Sequence, residues 1–177
     1  MRRVIVDIDN TLWDFASVFY AHLKEIHPEI PQQLYWERWD YLKRFVTDKE
    51  LYGVLRKIHM KQDTVLPFPD ARFFLSSLKD MGCSITIASH REKGSFEPTE
   101  RWLINHHLPY DELHVSFDKS VLFSQSWAVV DDSPIVLSKA RNAGIIGTGL
   151  RYPWNEREDH VLFDSLKGIL SYLGEQF

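Results

Sequence analysis

The sequence predicts an α/β protein, a doubly wound parallel sheet carrying a small inserted helical segment. Three observations lead there. Short apolar runs of strand length recur at residues 4–6, 83–88, 126–130 and 145–150, with sequence of helical period between them. The runs end in polar groups: Asp7 and Asp9, then Ser89, then Asp131 and Asp132. Finally, about fifty residues of helical character separate the first run from the next strand–helix unit, too many for a simple crossover.

Taken in order, Val4-Ile5-Val6 reads as a strand buried on both faces, as parallel sheets require. Phe15, Val18, Phe19, His22 and Ile26 then share one helical stripe until Pro28 and Pro31 break it. Residues 32–46 are crowded with Tyr35, Trp36, Trp39, Tyr41 and Phe45. A further helix carries Leu51, Val54, Leu55 and Ile58 at i, i+3, i+4 and i+7. The prolines at 67 and 69 end helical structure, and Pro69 suits the start of the next helix, which carries Ala71, Phe74, Leu75 and Leu78 and stops at Gly82. After the strand ending at Ser89 come a loop over 91–97, a helix containing Trp102, Leu103 and Leu108, and a weak strand at 112–115. The 126–130 strand is followed by Ser133 as N-cap and Pro134 at the first helical position, with Gly144 closing that helix. Beyond Pro153, the residues Val161, Leu162, Leu166, Ile169 and Leu173 suggest a packed terminal helix. The expected division is a core of residues 1–14 and 65–177 with a helical cap at 15–64.

The totals bound the class. A chain of 177 residues supports one core plus a modest insertion. The single cysteine, Cys83, excludes an internal disulfide and sits in an apolar run, where a buried inert thiol is expected. No leader-like or membrane-length apolar run is visible, so a soluble cytoplasmic protein is expected, with neither a membrane nor a nucleic acid polymer as partner. Between Gln32 and Gln62 seven Lys/Arg face four Asp/Glu, a net +3 that leaves −7 for the remainder of a chain of net −4. A positive insert on a negative body suits an anionic ligand, although a solvated helical face explains it equally well.

In a parallel sheet the strand ends share one edge, so Asp7, Asp9, Asp131 and Asp132 can converge there. Two unit charges about 4 Å apart repel by roughly 4 kcal/mol at an effective dielectric near 20. Such a cluster takes up protons or a cation, and an all-oxygen set with room for water suits Mg²⁺. No His/Cys set has zinc spacing; His106 and His107 are adjacent on a helix and point apart. At the second strand Ser89 competes with Thr86, which lies mid-strand. Lys119 competes with Lys93, in the loop after Ser89, and with Lys139, on a helix.

In order, Val6-Asp7-Ile8-Asp9-Asn10-Thr11, Ile87-Ala88-Ser89-His90, Lys119, and Val129-Val130-Asp131-Asp132-Ser133 resemble the four motifs of the haloacid dehalogenase-like (HAD) superfamily of aspartate-nucleophile phosphohydrolases. The resemblance spans nearly the whole chain, and the insert stands where one class of these enzymes carries its cap. The stretch from Ser89 through Trp102-Leu103 and Leu108-Pro109-Tyr110-Asp111 to Asp118-Lys119-Ser120 bears a looser resemblance to the 5′-deoxyribonucleotidase-like branch. The resemblance implies a Mg²⁺-dependent phosphatase acting on a small phosphorylated metabolite. Asp7 would be the nucleophile and Asp9 the acid/base. Ser89 and Lys119 would hold the phosphoryl oxygens, with Asn10, Thr11 and His90 also reaching substrate. Mg²⁺ would lie on Asp7, the carbonyl of Asp9, and the Asp131–Asp132 pair, with Asp132 favoured as direct ligand. A phosphomutase uses the same residues, and a non-catalytic binding domain of this fold is the remaining alternative. The insert aromatics serve either as packing or as a platform for a nucleoside base. Arg91 stands beside His90 as a further group within reach of substrate, and Asp14 is expected to end the motif turn.

Overall fold

The computed structural model describes residues 1–177. Six strands form one sheet: β1 (Arg3–Val6), β2 (Ser84–Ser89), β3 (Glu112–Val115), β4 (Ala128–Val130), β5 (Ile146–Leu150) and β6 (Val161–Phe163). Their spatial order is β3-β2-β1-β4-β5-β6, with every pairing parallel. Six α-helices accompany them: α1 (Phe15–Ile26), α2 (Asp48–His59), α3 (Ala71–Asp80), α4 (Phe96–Asn105), α5 (Pro134–Asn142) and α6 (Leu166–Glu175).

The sheet is doubly wound because alternate side chains of its central strand find different partners. Val4 and Val6 of β1 join Phe74, Leu75 and Leu78 of α3 and Leu166, Ile169 and Leu173 of α6. Ile5 between them joins Val129 and, from α5, Ala140 on the opposite face. Each apolar side chain buried this way contributes about 1.5–3 kcal/mol. Central β1 pairs Val6 with Ile87 of β2 and with Val130 of β4. The residues following all three strands therefore emerge side by side at one edge.

The terminal segment departs from the expected single helix. Val161 and Leu162 belong to β6, and only from Leu166 does the helix run. Ser165 separates them as N-cap, its hydroxyl accepting from the Gly168 amide. Strand pairing to β5 overrides the helical spacing of the two residues. Likewise α3 starts at Ala71 with Asp70 as its cap residue, one step beyond Pro69.

Between β1 and α3 the helical expectation holds in part. Helices α1 and α2 form, but residues 32–46 contain only short 3-10 turns, at Gln33–Tyr35 and Tyr41–Arg44. The aromatics there lack a 3.6-residue stripe, so no single face can be buried by an α-helix. Trp36 instead turns inward, edge-on to Phe19 at 6.1 Å and tilted against Trp154 at 6.5 Å. Phe15, Phe19, Leu23, Val54 and Ile58 of α1 and α2 belong to the same continuous apolar core as the sheet. The start of α2 is fixed by a capping box that the hydrophobic pattern did not reveal. Thr47 accepts from the Glu50 amide, and Glu50 accepts from the Thr47 amide at 2.8 Å.

Candidate active site at the carboxyl edge of the sheet

Asp7 follows β1 directly, and its amide extends the ladder by donating to the Val130 carbonyl at 2.9 Å. The chain then turns sharply. Asn10 adopts φ 57°, a left-handed conformation that asparagine tolerates better than most residues. Its side chain is used at both ends: Oδ1 accepts from the Ala16 amide at 2.8 Å, and Nδ2 donates to Asp132 Oδ2 at 2.9 Å. Its carbonyl accepts from the Tyr152 hydroxyl at 2.9 Å. Asn10 thus ties the first motif to the fourth. Asp14 caps α1, accepting from the Ser17 amide at 3.1 Å.

The fold brings Lys119 to the same place from the segment after β3. Its ammonium donates to Asp7 Oδ1 and, at 2.7 Å, to Asp131 Oδ2. Lys93 instead lies in the 3-10 turn after β2, and Lys139 is paired across 3.9 Å with Asp118. Ser89, wholly buried at the end of β2, accepts from Arg91 Nε at 2.7 Å. Thr86 is directed to Glu112 instead, at 3.4 Å. His90 stands edge-on to Phe117 at 5.0 Å. The Thr11 hydroxyl is buried with no hydrogen-bond partner.

Asp7, Asp131 and Asp132 are all buried, and each offers one oxygen within 4.8 Å of the others. Burial pushes the Asp7 carboxyl up to about 7, Lys119 pulling it down while Asp131 and Asp9 add to the rise. Asp132 is pushed well above the usual carboxylate range by burial, then by Asp7 and Asp131. Burial alone would lower Lys119, but Asp131 and Asp7 outweigh it and hold the ammonium charged. Three buried carboxyls share one ammonium, so ionising all of them would leave excess negative charge, and an all-oxygen donor set fits a hard cation such as Mg²⁺. The hydrogen bonds sort the ligands. Both oxygens of Asp131 are taken, by Lys119 and by the Ser133 amide. In Asp132 the two donors, Asn10 and Trp154, both fall on Oδ2. In Asp7 the lysine falls on Oδ1. One oxygen of Asp7 and one of Asp132 therefore remain for a metal.

The Asp9 side chain stands apart from this cluster. Its Oδ1 accepts from Trp13 Nε1 at 2.9 Å and from Arg91 Nη2 at 2.6 Å, and its Oδ2 is 3.0 Å from His59 Nε2. Burial would raise its pKa, but Arg91 and His59 outweigh burial and hold the carboxyl below its usual range. An ionised Asp9 can only accept, which places the proton of His59 on Nε2. His59 itself is lowered by burial despite the pull of Asp9.

His59 and Trp154 entered the site unannounced by the sequence. His59 lies four residues after Leu55, so it continues the apolar stripe of α2, and that was the available signal. Trp154 carried none. It stacks on Tyr152 at 4.4 Å in the segment after β5, and only the tertiary fold brings its Nε1 within 3.2 Å of Asp132. Between α2 and the loop after β2 lies a narrow cleft of about 30 Å³, with Tyr52, Leu55 and His59 on one side and His90, Arg91 and Phe117 on the other.

No family model and no curated protein matches the chain. Solved structures do, along their full length. A HAD family hydrolase from Deinococcus radiodurans R1, solved with bound phosphate and sodium, superposes with a TM-score of 0.64 at 19% identity, covering 99% of this chain and 96% of that one. A predicted phosphoglycolate phosphatase from Haemophilus somnus 129PT gives 0.65 at 17% identity, with 98% of each chain covered. A dehalogenase with an intermediate complex gives 0.60 at 16% identity, covering 97% and 96%. The chain has the HAD-like fold.

Proposed function

We propose that the protein is a Mg²⁺-dependent phosphomonoester hydrolase working through an aspartyl-phosphate on Asp7. The observation that carries this reading is the Asp7 carboxylate at the sheet edge, bridged by Lys119 to Asp131, with Asp9 held separately two residues on. Other chemistries share the fold, so the reaction is argued from these residues.

An oxygen of Asp7 attacks phosphorus while the bond to the ester oxygen breaks; Asp9, ionised in the free protein, takes a proton from solvent as the anionic substrate binds beside it and passes that proton to the leaving oxygen. Asp9, now ionised, takes a proton from the water that attacks the aspartyl-phosphate. Inorganic phosphate leaves and Asp7 is regenerated. Lys119 and Ser89 hold the phosphoryl oxygens while charge moves across them. The Thr11 hydroxyl, buried without a partner, is a further donor to the phosphoryl group. Asn10 supports the turn through its own hydrogen bonds, and His90 meets the leaving group at the cleft. When bound, Mg²⁺ would be held by Asp7, the Asp9 carbonyl and Asp132, with Asp131 outside them, and would neutralise phosphate charge.

Residues 15–64 act as the cap over a core of 1–14 and 65–177. The substrate is a compact phosphomonoester, a nucleoside monophosphate being the finer reading. Trp36 is committed to the joint with Trp154, while Tyr35 and Trp39 stay exposed on the insert and Tyr52 and Phe117 line the cleft, so ring faces for a base remain. One stacked ring contributes about 1–3 kcal/mol, which favours nucleotides by about tenfold to a hundredfold.

A phosphate-release panel with Mg²⁺ tests both levels. Wild type is expected to hydrolyse phosphomonoesters without a phosphorylated activator, which also separates it from a mutase, and folded Asp7→Asn is expected to be inactive. An active Asp7→Asn protein removes the nucleophile assignment. Nucleoside monophosphates no better than glucose 6-phosphate or phosphoglycolate in kcat/KM remove the base-stacking reading alone.

A further inference from the structure

We propose that His59, on the insert, is the positioning residue that aims the Asp9 carboxyl at the leaving group. The inference rests on the phosphatase reading above. Asp9 receives donors from three separate parts of the chain. Trp13 and Arg91 both bond Oδ1, whereas Oδ2 meets only His59 Nε2, at 3.0 Å. A carboxyl pinned at one oxygen can still swing about that oxygen; a donor on the second fixes its plane.

Arg91 is itself held at three points. Wholly buried, it bonds Ser89 through Nε, Thr99 through Nη1 and Asp9 through Nη2, at 2.7, 2.8 and 2.6 Å. His59 is buried at the last turn of α2, its ring 5.7 Å from that of Phe15. The other two donors belong to residues outside α2, so the plane of Asp9 is set only when α2 is seated. His59 and Arg91, the two groups that hold Asp9 from opposite oxygens, also line the narrow cleft between α2 and the loop after β2. In the transfer, the proton that Asp9 takes up from solvent with the anionic substrate passes to the ester oxygen as its bond to phosphorus breaks. His59 keeps its own proton throughout.

A role in aiming the acid differs from a packing role in its dependence on the leaving group. Departure of 2,4-dinitrophenolate needs no protonation, whereas departure of an alkoxide does. The experiment compares kcat/KM, which reports only steps up to formation of the aspartyl-phosphate, for β-glycerol phosphate and 2,4-dinitrophenyl phosphate. His59→Leu is expected to lose at least about tenfold on the alkyl ester and less than about threefold on the aryl ester, within the range general acid catalysis supplies. His59→Gln, whose amide nitrogen can stand where Nε2 does, is expected to recover most of the alkyl activity. His59→Asn, whose amide falls short of Asp9, behaves as the leucine variant and replaces it if that protein fails to fold. Equal losses on both esters, or full alkyl activity without the donor, overturn the proposal while wild-type turnover leaves the phosphatase reading intact. Wild type inactive on both esters overturns that reading, and this one with it.

Discussion

Asp131 and Asp132 are adjacent, alike in chemistry and both buried, yet their hydrogen bonds assign them different tasks. Asp131 has both oxygens occupied, one by the lysine that also touches Asp7. Asp132 has both donors on one oxygen and keeps the other. Asp132→Asn is therefore expected to weaken Mg²⁺ binding more than Asp131→Asn, because it would replace the proposed direct ligand with a poorer one. Asp131→Asn is expected instead to reduce turnover by releasing Lys119. Mg²⁺ titrations of both folded variants check this, and the reverse order of affinities would exchange the two roles.

Among the elements, β5 packs against the backbone of the site without contributing a functional group. Its Gly149 lies beside the backbone of Asp131, and a Cβ there would come within 1.9 Å of the Asp131 carbonyl oxygen. The neighbour is backbone at the end of β4, so the strand end must shift. Gly149→Ala is expected to cost about 1–3 kcal/mol or more, seen as a drop of several degrees in Tm, and to weaken Mg²⁺ binding. Gly147→Ala, where a Cβ would meet Ala140 Cβ and the Leu137 carbonyl at 3.3 Å, is the milder comparison. Equal effects on Mg²⁺ affinity from the two would show that β5 does not place the pair.

For the whole molecule, the carboxylate cluster links metal, proton and stability. Folding raises the Asp7 pKa from 3.8 to about 7. Between those values the folded metal-free protein binds more protons than the unfolded chain, so this group's contribution to stability falls as pH rises through that window. At the proposed site Mg²⁺ would take the place of those protons, and its stabilisation would accordingly grow with pH. The rise in Tm on adding Mg²⁺ is expected to be larger near pH 8 than near pH 5. Thermal melts in EDTA and in Mg²⁺ at both values measure it; a shift independent of pH would mean that the cation binds away from the cluster. No helix of the molecule is long and apolar enough to cross a membrane.

Local chemistry determined much of this protein from its sequence. Buried apolar runs, the Ser133–Pro134 helix start and the glycine stop at Gly144 depend on neighbours in the chain, so five of the six strands, most helices and the convergence of Asp7, Ser89, Lys119, Asp131 and Asp132 at one sheet edge were legible. The tertiary structure decided what depends on partners remote in sequence. Val161 and Leu162 became a strand because β5 offered an unpaired edge. Trp36 became a joint because Trp154 lay opposite. His59 reached Asp9 across fifty positions of sequence because α2 packs its last turn against the motif. Hydrogen bonds to one oxygen rather than the other separated Asp131 from Asp132, a distinction that two identical side chains cannot carry in their order alone.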